Sequence, residues 1–155
     1  MNKPVIKFAV LGFAIIAATV LTLAGPGHNL EKRAFNPVGT PENPAFSNGL
    51  QVGSTLYLSG QEGLVDGKLV PGGIGPETQT ALGNIKKILE LAGYQMSDLV
   101  TVNVYLADIG DFTEMTRVYK TIVPEPRPAR TTVQVAALVN NARVEISAIA
   151  VKQHP

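Results

Sequence analysis

Residues 81–106, ALGNIKKILELAGYQMSDLVTVNVYL, change their apolar period part-way along. Ala81, Leu82, Ile85, Ile88, Leu89 and Ala92 recur at three- and four-residue spacing, the pattern of a helix that buries one face. Pro76 lies near its start and Gly93 just past its end. Proline gives up an N–H that the first turn does not use, and glycine accepts the left-handed backbone of a helix terminus. From Val100 the period drops to two: Val100, Val102, Val104 and Leu106 alternate with Thr101, Asn103 and Tyr105, which predicts a strand with one apolar face. A long helix feeding a one-sided strand is the unit of an α+β domain.

Toward the C-terminus, Asp111 with Glu114 three residues on resembles a capping box, and Phe112, Met115, Tyr119 and Ile122 give a second amphipathic helix that Pro124 and Pro126 stop. Two strands follow, Ala129 to Leu138 and Arg143 to Val151, joined by residues 139–142. Toward the N-terminus, Thr55 to Leu58 is a short β-prone run ending at Ser59-Gly60-Gln61. Asp66-Gly67 between two short apolar segments is a turn signal, and a Gly- and Pro-rich loop covers residues 71–76. The expected order is β-β-α-β-α-β-β: one mixed sheet with both helices on one face. The other face must bury against something, usually another subunit, so oligomerisation is expected from topology.

Residues 25–48 carry Pro26, Pro37, Pro41 and Pro44 and are read as excluding regular structure, giving a flexible tether over 25–43 and a domain over 44–155. Ahead of them, Lys3 and Lys7 precede an apolar run from Phe8 to Ala24. Thr22-Leu23-Ala24 then offers small residues at the minus-three and minus-one positions, with Gly25-Pro26-Gly27 beyond. Residues 1–24 read as a signal peptide cleaved after Ala24, with an uncleaved membrane anchor as the alternative. Either way the domain is expected to be exported, to the periplasm if the host is a bacterium.

Removing Lys3 and Lys7 leaves 11 basic residues against 12 acidic ones, a mature charge near −1 that offers no footprint for nucleic acid. The chain has no cysteine, which excludes disulfides and thiol chemistry, and its two histidines, His28 and His154, lie near the ends. A buried Ser-His or metal-His site is therefore not expected, and no metal or cofactor is assigned. Chemistry is left to Arg, Glu, Asp, Lys, Tyr, hydroxyls and backbone groups.

The stretch Pro128-Ala129-Arg130-Thr131-Thr132-Val133-Gln134-Val135, followed by Val144-Glu145-Ile146-Ser147-Ala148-Ile149-Ala150, resembles the C-terminal signature of the Rid family, the reactive-intermediate deaminases. Tyr57-Leu58-Ser59-Gly60-Gln61, the helix from Gln79 to Gly93, and Val100 to Asp111 resemble the same family in the same order, so the similarity spans roughly residues 44 to 152. It implies a chorismate-mutase-like fold, a homotrimer with clefts at its subunit interfaces, and hydrolysis of enamines and imines such as 2-aminoacrylate to 2-oxo acids and ammonia. Matched by position, Arg130 corresponds to the arginine that binds the substrate carboxylate and Glu145 to the glutamate that orients the attacking water. Gly60 corresponds to a glycine whose backbone faces the ligand, and Thr132 to a position where a cysteine or hydroxyl residue is common. Phe46 stands where the family usually has a tyrosine, and Thr116 where RidA-type deaminases usually have an asparagine. Both departures remove a polar group from the cleft, which keeps open an alternative: an exported module that binds carboxylate ligands or a partner without turnover.

Physically, Arg130 suits the role because its planar fork pairs bidentately with a carboxylate. Glu145 shares a strand face with Arg143 and Ser147, opposite Val144, Ile146 and Ala148, as a solvated polar face would. If the last two strands paired directly, opposed residue numbers would sum to about 281. That sets Glu145 against Ala136 and leaves Arg130 about six residues, or ~20 Å, away along the strand. One small molecule cannot bridge that gap, so either the two strands are not direct neighbours in that register or different subunits supply Arg130 and Glu145; the second is expected.

Overall fold

The computed structural model describes residues 31–38 and 45–152. The segment read as a signal peptide or anchor, both histidines and most of the tether lie outside the described residues. Eight strands and two α-helices are present among them: β1 (Lys32–Phe35), β2 (Gly49–Val52), β3 (Thr55–Glu62), β4 (Leu64–Val65), β5 (Lys68–Leu69), α1 (Ile74–Leu91), β6 (Leu99–Leu106), α2 (Phe112–Ile122), β7 (Ala129–Gln134) and β8 (Val144–Val151). Six of the strands form one mixed sheet in the order β1-β2-β3-β8-β6-β7, with β6 and β7 parallel and the other neighbours antiparallel. The expected α+β fold, one mixed sheet with two helices on one face, is the one observed.

The core forms where the alternating strand faces meet the helices. Leu56 and Leu58 of β3, Val102 and Val104 of β6, and Val144 and Ile146 of β8 turn toward Leu82, Ile85 and Leu89 of α1 and Met115 of α2, all of them buried. Burying one such side chain contributes about 1.5–3 kcal/mol, so the packing of helices on a single sheet face holds the domain together without cysteine. The helix-free face carries Tyr57, Thr101, Asn103, Tyr105, Glu145 and Ser147, at half-buried or exposed positions. Asp66-Gly67 makes the expected turn: both residues have positive φ, 50° and 74°, and they close the small β4–β5 hairpin.

Three expectations are corrected. Lys32–Phe35 is a strand, β1, that pairs with β2 through Lys32↔Val52 to Phe35↔Gly49 and buries Phe35; Pro37 follows this strand rather than preventing it. Val100 is 45% exposed, because the β6–β8 register shifts between Leu99 and Thr101 and turns it off the apolar face. Asp111 makes no capping bond to α2, since its carboxylate takes the Arg143 guanidinium at 2.8 and 2.9 Å; Glu114 is held by Arg117 instead. The last two strands are not neighbours, the first of the two alternatives left open above. β7 ends at Gln134, and the chain then crosses the end of β6, with Val135 N–H donating to the Leu106 carbonyl, before entering β8 on the far side.

Candidate active site

Inserting β6 between β7 and β8 settles where the two charged candidates stand. Arg130 is opposite Val102 on β6, and Glu145 is opposite Tyr105. Residues paired across neighbouring strands point to the same side of a sheet. Arg130 therefore shares the helix-covered side with buried Val102, and Glu145 shares the helix-free side with Tyr105. Three residues along β6 and two strand spacings put their Cα atoms ~14 Å apart, on opposite faces.

Around Arg130 the sequence supplies a stacking cradle. Its Nη2 donates to Thr116 Oγ1 at 3.2 Å, and its guanidinium carbon lies 4.8 Å from the Tyr119 ring centre and 5.5 Å from that of Phe112. All three contacts come from α2, whose residues 112, 116 and 119 fall on one helical stripe. Stacking holds a guanidinium without using its donor fork. Arg117, Arg127 and Arg143 are each paired with a carboxylate, whereas no carboxylate among the described residues forms an ion pair with Arg130. Thr132, opposite buried Val104, brings a hydroxyl whose oxygen is buried without a hydrogen-bond partner among the described residues. Burial pushes the Tyr119 phenol up, while Arg130 and Arg127 pull it down.

Around Glu145 the fit is tighter. β3 is irregular between Leu58 and Gln61, and Gly60 sits in that irregularity. A Cβ built on Gly60 would lie 1.7 Å from Glu145 Oε1 and 2.6 Å from its Cδ, so the carboxylate occupies the space that a side chain would need. Gly60 is thus a seat for Glu145, a role the sequence reading, which had its backbone facing a ligand, did not contain. Phe46 is 51% exposed, and its segment is pinned beside this seat: Ser59 Oγ donates to the Ser47 carbonyl at 2.7 Å and Ser59 N–H to the Asn48 carbonyl at 2.9 Å.

The six sequence-predicted residues therefore fall into two groups of three. Arg130, Thr116 and Thr132 form one cluster at the β7 edge under α2. Glu145 of β8 and Gly60 of β3 form the other, with Phe46 on the segment before β2 that Ser59 pins. The sequence reading missed Phe112 and Tyr119, assigned only to a helix's apolar face, and Glu62, which the β3–β8 ladder sets opposite Glu145.

Residues 40–152 match the family model described as Endoribonuclease L-PSP. The chain belongs to this family, the Rid family. Among curated relatives, it is 44% identical over 121 residues to the mouse 2-iminobutanoate/2-iminopropanoate deaminase, covering 74% of this chain and 90% of the relative. Among solved structures, it is similar to RidA from the Antarctic bacterium Psychrobacter sp. PAMC 21119, with a TM-score of 0.73, 35% identity, and coverage of 77% and 99%. It is also similar to E. coli TdcF with bound serine, with a TM-score of 0.73, 28% identity, and coverage of 78% and 99%. As a Rid protein, the chain carries its candidate residues in two clusters on opposite faces of one sheet.

Proposed function

We propose that the protein hydrolyses small imino acids, and the enamines that tautomerise to them, to 2-oxo acids and ammonia, in clefts formed between subunits of a homotrimer. The observation that carries this reading is an arginine fork held by stacking, unpaired with any described carboxylate, on the opposite sheet face from a carboxylate seated on glycine. The deaminase name of the mouse relative supports the chemistry, and the helix-free sheet face with Tyr57, Tyr105 and Val133 supports the assembly.

An iminium carbon is already electrophilic, so the protein has to position more than activate. Arg130 of one subunit pairs bidentately with the substrate carboxylate, beside the hydroxyls of Thr116 and Thr132. Glu145 of its neighbour accepts a proton from water as the water oxygen bonds to the imine carbon, giving a carbinolamine. The proton passes from Glu145 to nitrogen, and the C–N bond breaks with its electron pair leaving on ammonia. The hydroxyl proton returns through Glu145 as the carbonyl forms, so iminium and water become ketone and ammonium. We also propose export through residues 1–24. RNA cleavage, the activity in the family model's name, is disfavoured by a mature charge near −1.

The test mixes equal amounts of Arg130→Ala and Glu145→Ala chains after dissociation and reassembly, and measures ammonia release from 2-iminopropanoate formed in situ by an amino-acid oxidase. Random trimers restore both groups at about one interface in four, so about a quarter of wild-type activity is expected from two inactive parents. No recovery would refute the composite site.

A further inference from the structure

Glu62, at the end of β3, is directly opposite Glu145 on β8. Paired residues on antiparallel strands share a face with Cβ atoms ~4.5–5.5 Å apart, so two carboxyl groups stand side by side next to the Gly60 seat. Their environments differ. Glu62 is 9% exposed; its Oε2 accepts from Asn140 Nδ2 at 2.7 Å, and its Oε1 is buried with no hydrogen-bond partner among the described residues. An ionised Glu62 would leave a charged oxygen without a donor beside a like charge, whereas a protonated one leaves only a hydroxyl. Burial pushes the Glu62 carboxyl above the usual range and the charges of Glu145 and Glu77 push it further, against the Asn140 hydrogen bond.

Within one chain, the other groups facing the pair leave this balance in place. Tyr105 of β6 flanks Glu145 on its other side. Glu77 of α1 adds negative charge and is held by the Arg143 backbone N–H at 2.7 Å. The Arg143 guanidinium is taken by Asp111. Among the described residues, no cation forms an ion pair with Glu62 or Glu145.

We propose that Glu62 is a positioning residue that acts through Glu145: it keeps its proton at the working pH, so this half-site holds one charged carboxylate seated on Gly60 instead of two that repel. When Glu62 ionises, repulsion across the ladder drives Glu145 off the seat. The inference rests on the deaminase reading, in which Glu145 is the proton acceptor.

The test compares wild type, Glu62→Gln and Glu62→Ala in the assembled protein. It uses the pH profile of 2-iminopropanoate hydrolysis from pH about 5 to 9, together with a carboxyl titration followed by 13C NMR on glutamate-labelled protein without substrate. Wild-type kcat should decline on the alkaline side with KM little changed, and one glutamate resonance should stay protonated above the ordinary carboxylate range. Glu62→Gln, isosteric with the neutral acid, should keep kcat near wild type at neutral pH, and both Glu62→Gln and Glu62→Ala, which cannot ionise, should remove the alkaline decline and the high-titrating resonance. Superposed profiles for wild type and Glu62→Gln would overturn the proposal, as would titration of every glutamate in the ordinary range. A wild-type protein that hydrolyses no imine overturns the deaminase reading itself, and the NMR titration then decides separately whether the proton-holding pair exists.

Discussion

Gly60→Ala places one methyl group where Glu145 now rests, and its effect can be worked out from the contact geometry. The new Cβ would meet Oε1 at 1.7 Å, Cδ at 2.6 Å and Cγ at 2.9 Å, whereas ordinary contact begins at 3.4 Å, so the carboxylate oxygen must retreat by about 1.7 Å. Glu145 is half-buried on the helix-free face and can swing away from β3, at an off-rotamer cost of about 1 kcal/mol. The melting temperature should therefore fall by no more than roughly 4–8 °C. Catalysis is far more sensitive, because a misplacement of about 1 Å costs on the order of 100-fold. kcat/KM for 2-iminopropanoate should drop about 100-fold or more while far-UV circular dichroism is unchanged. If Gly60 acts only by seating Glu145, the Gly60→Ala/Glu145→Ala double variant should be no slower than Glu145→Ala alone. A near-wild-type rate for Gly60→Ala, or a further full drop in the double variant, would refute the seat.

The remaining predictions are more local. Arg130→Lys keeps the charge but loses the bidentate fork and the stack between Tyr119 and Phe112, so kcat/KM should fall about 10- to 100-fold with the fold intact; unchanged turnover removes Arg130 from the site. The pH dependence of stability carries a sign set by Glu62, whose folded-state carboxyl is raised by burial. The native state holds a proton that the unfolded chain has already lost, so this group's contribution is most favourable below the unfolded value of about 4.3 and declines as pH rises through the folded value. The melting temperature of Glu62→Gln relative to wild type should thus climb with pH and then level off, and a constant difference would contradict the raised value. Protein from the native host should have its N-terminus at or next to Gly25; an intact mass that includes residues 1–24, in a membrane fraction, would replace the signal peptide with an anchor.

The features legible in the sequence were those set by neighbours. The α1 face from Ala81 to Leu89 follows from a 3.6-residue period, and the Asp66-Gly67 turn from two residues that tolerate positive φ. Features set by distant partners were not legible. β1 is four residues long, too short to show a period, and it is a strand because β2 offers it a ladder. Val100 fits the apolar alternation, but a register shift against β8 overrides it. Asp111 and Glu114 have the spacing of a cap, yet Arg143 and Arg117 outbid the helix N-terminus for their carboxylates with charge-assisted bonds. The site divides the same way. The residue types at 130 and 145 could be recognised, but Gly60 as the Glu145 seat and Glu62 as its neighbour depend on strand pairing across more than 80 positions, which no local pattern encodes.

That division also bears on why the charged groups sit on opposite faces. Were Arg130 and Glu145 within ~4 Å on one face of one chain, they would pair at roughly 4 kcal/mol of Coulomb attraction in a partly shielded site, and a substrate carboxylate would have to displace Glu145 from the fork. Two strand spacings and the thickness of the sheet keep them apart within the chain. Arg130 is instead held by two rings and a hydroxyl, and Glu145 by the space above a glycine. In the proposed trimer they approach only across an interface, with the substrate carboxylate on one and the attacking water on the other. Such an assembly would keep a cation and an anion available in one cleft without their neutralising each other within a chain, which a site built from a single sheet face could not do.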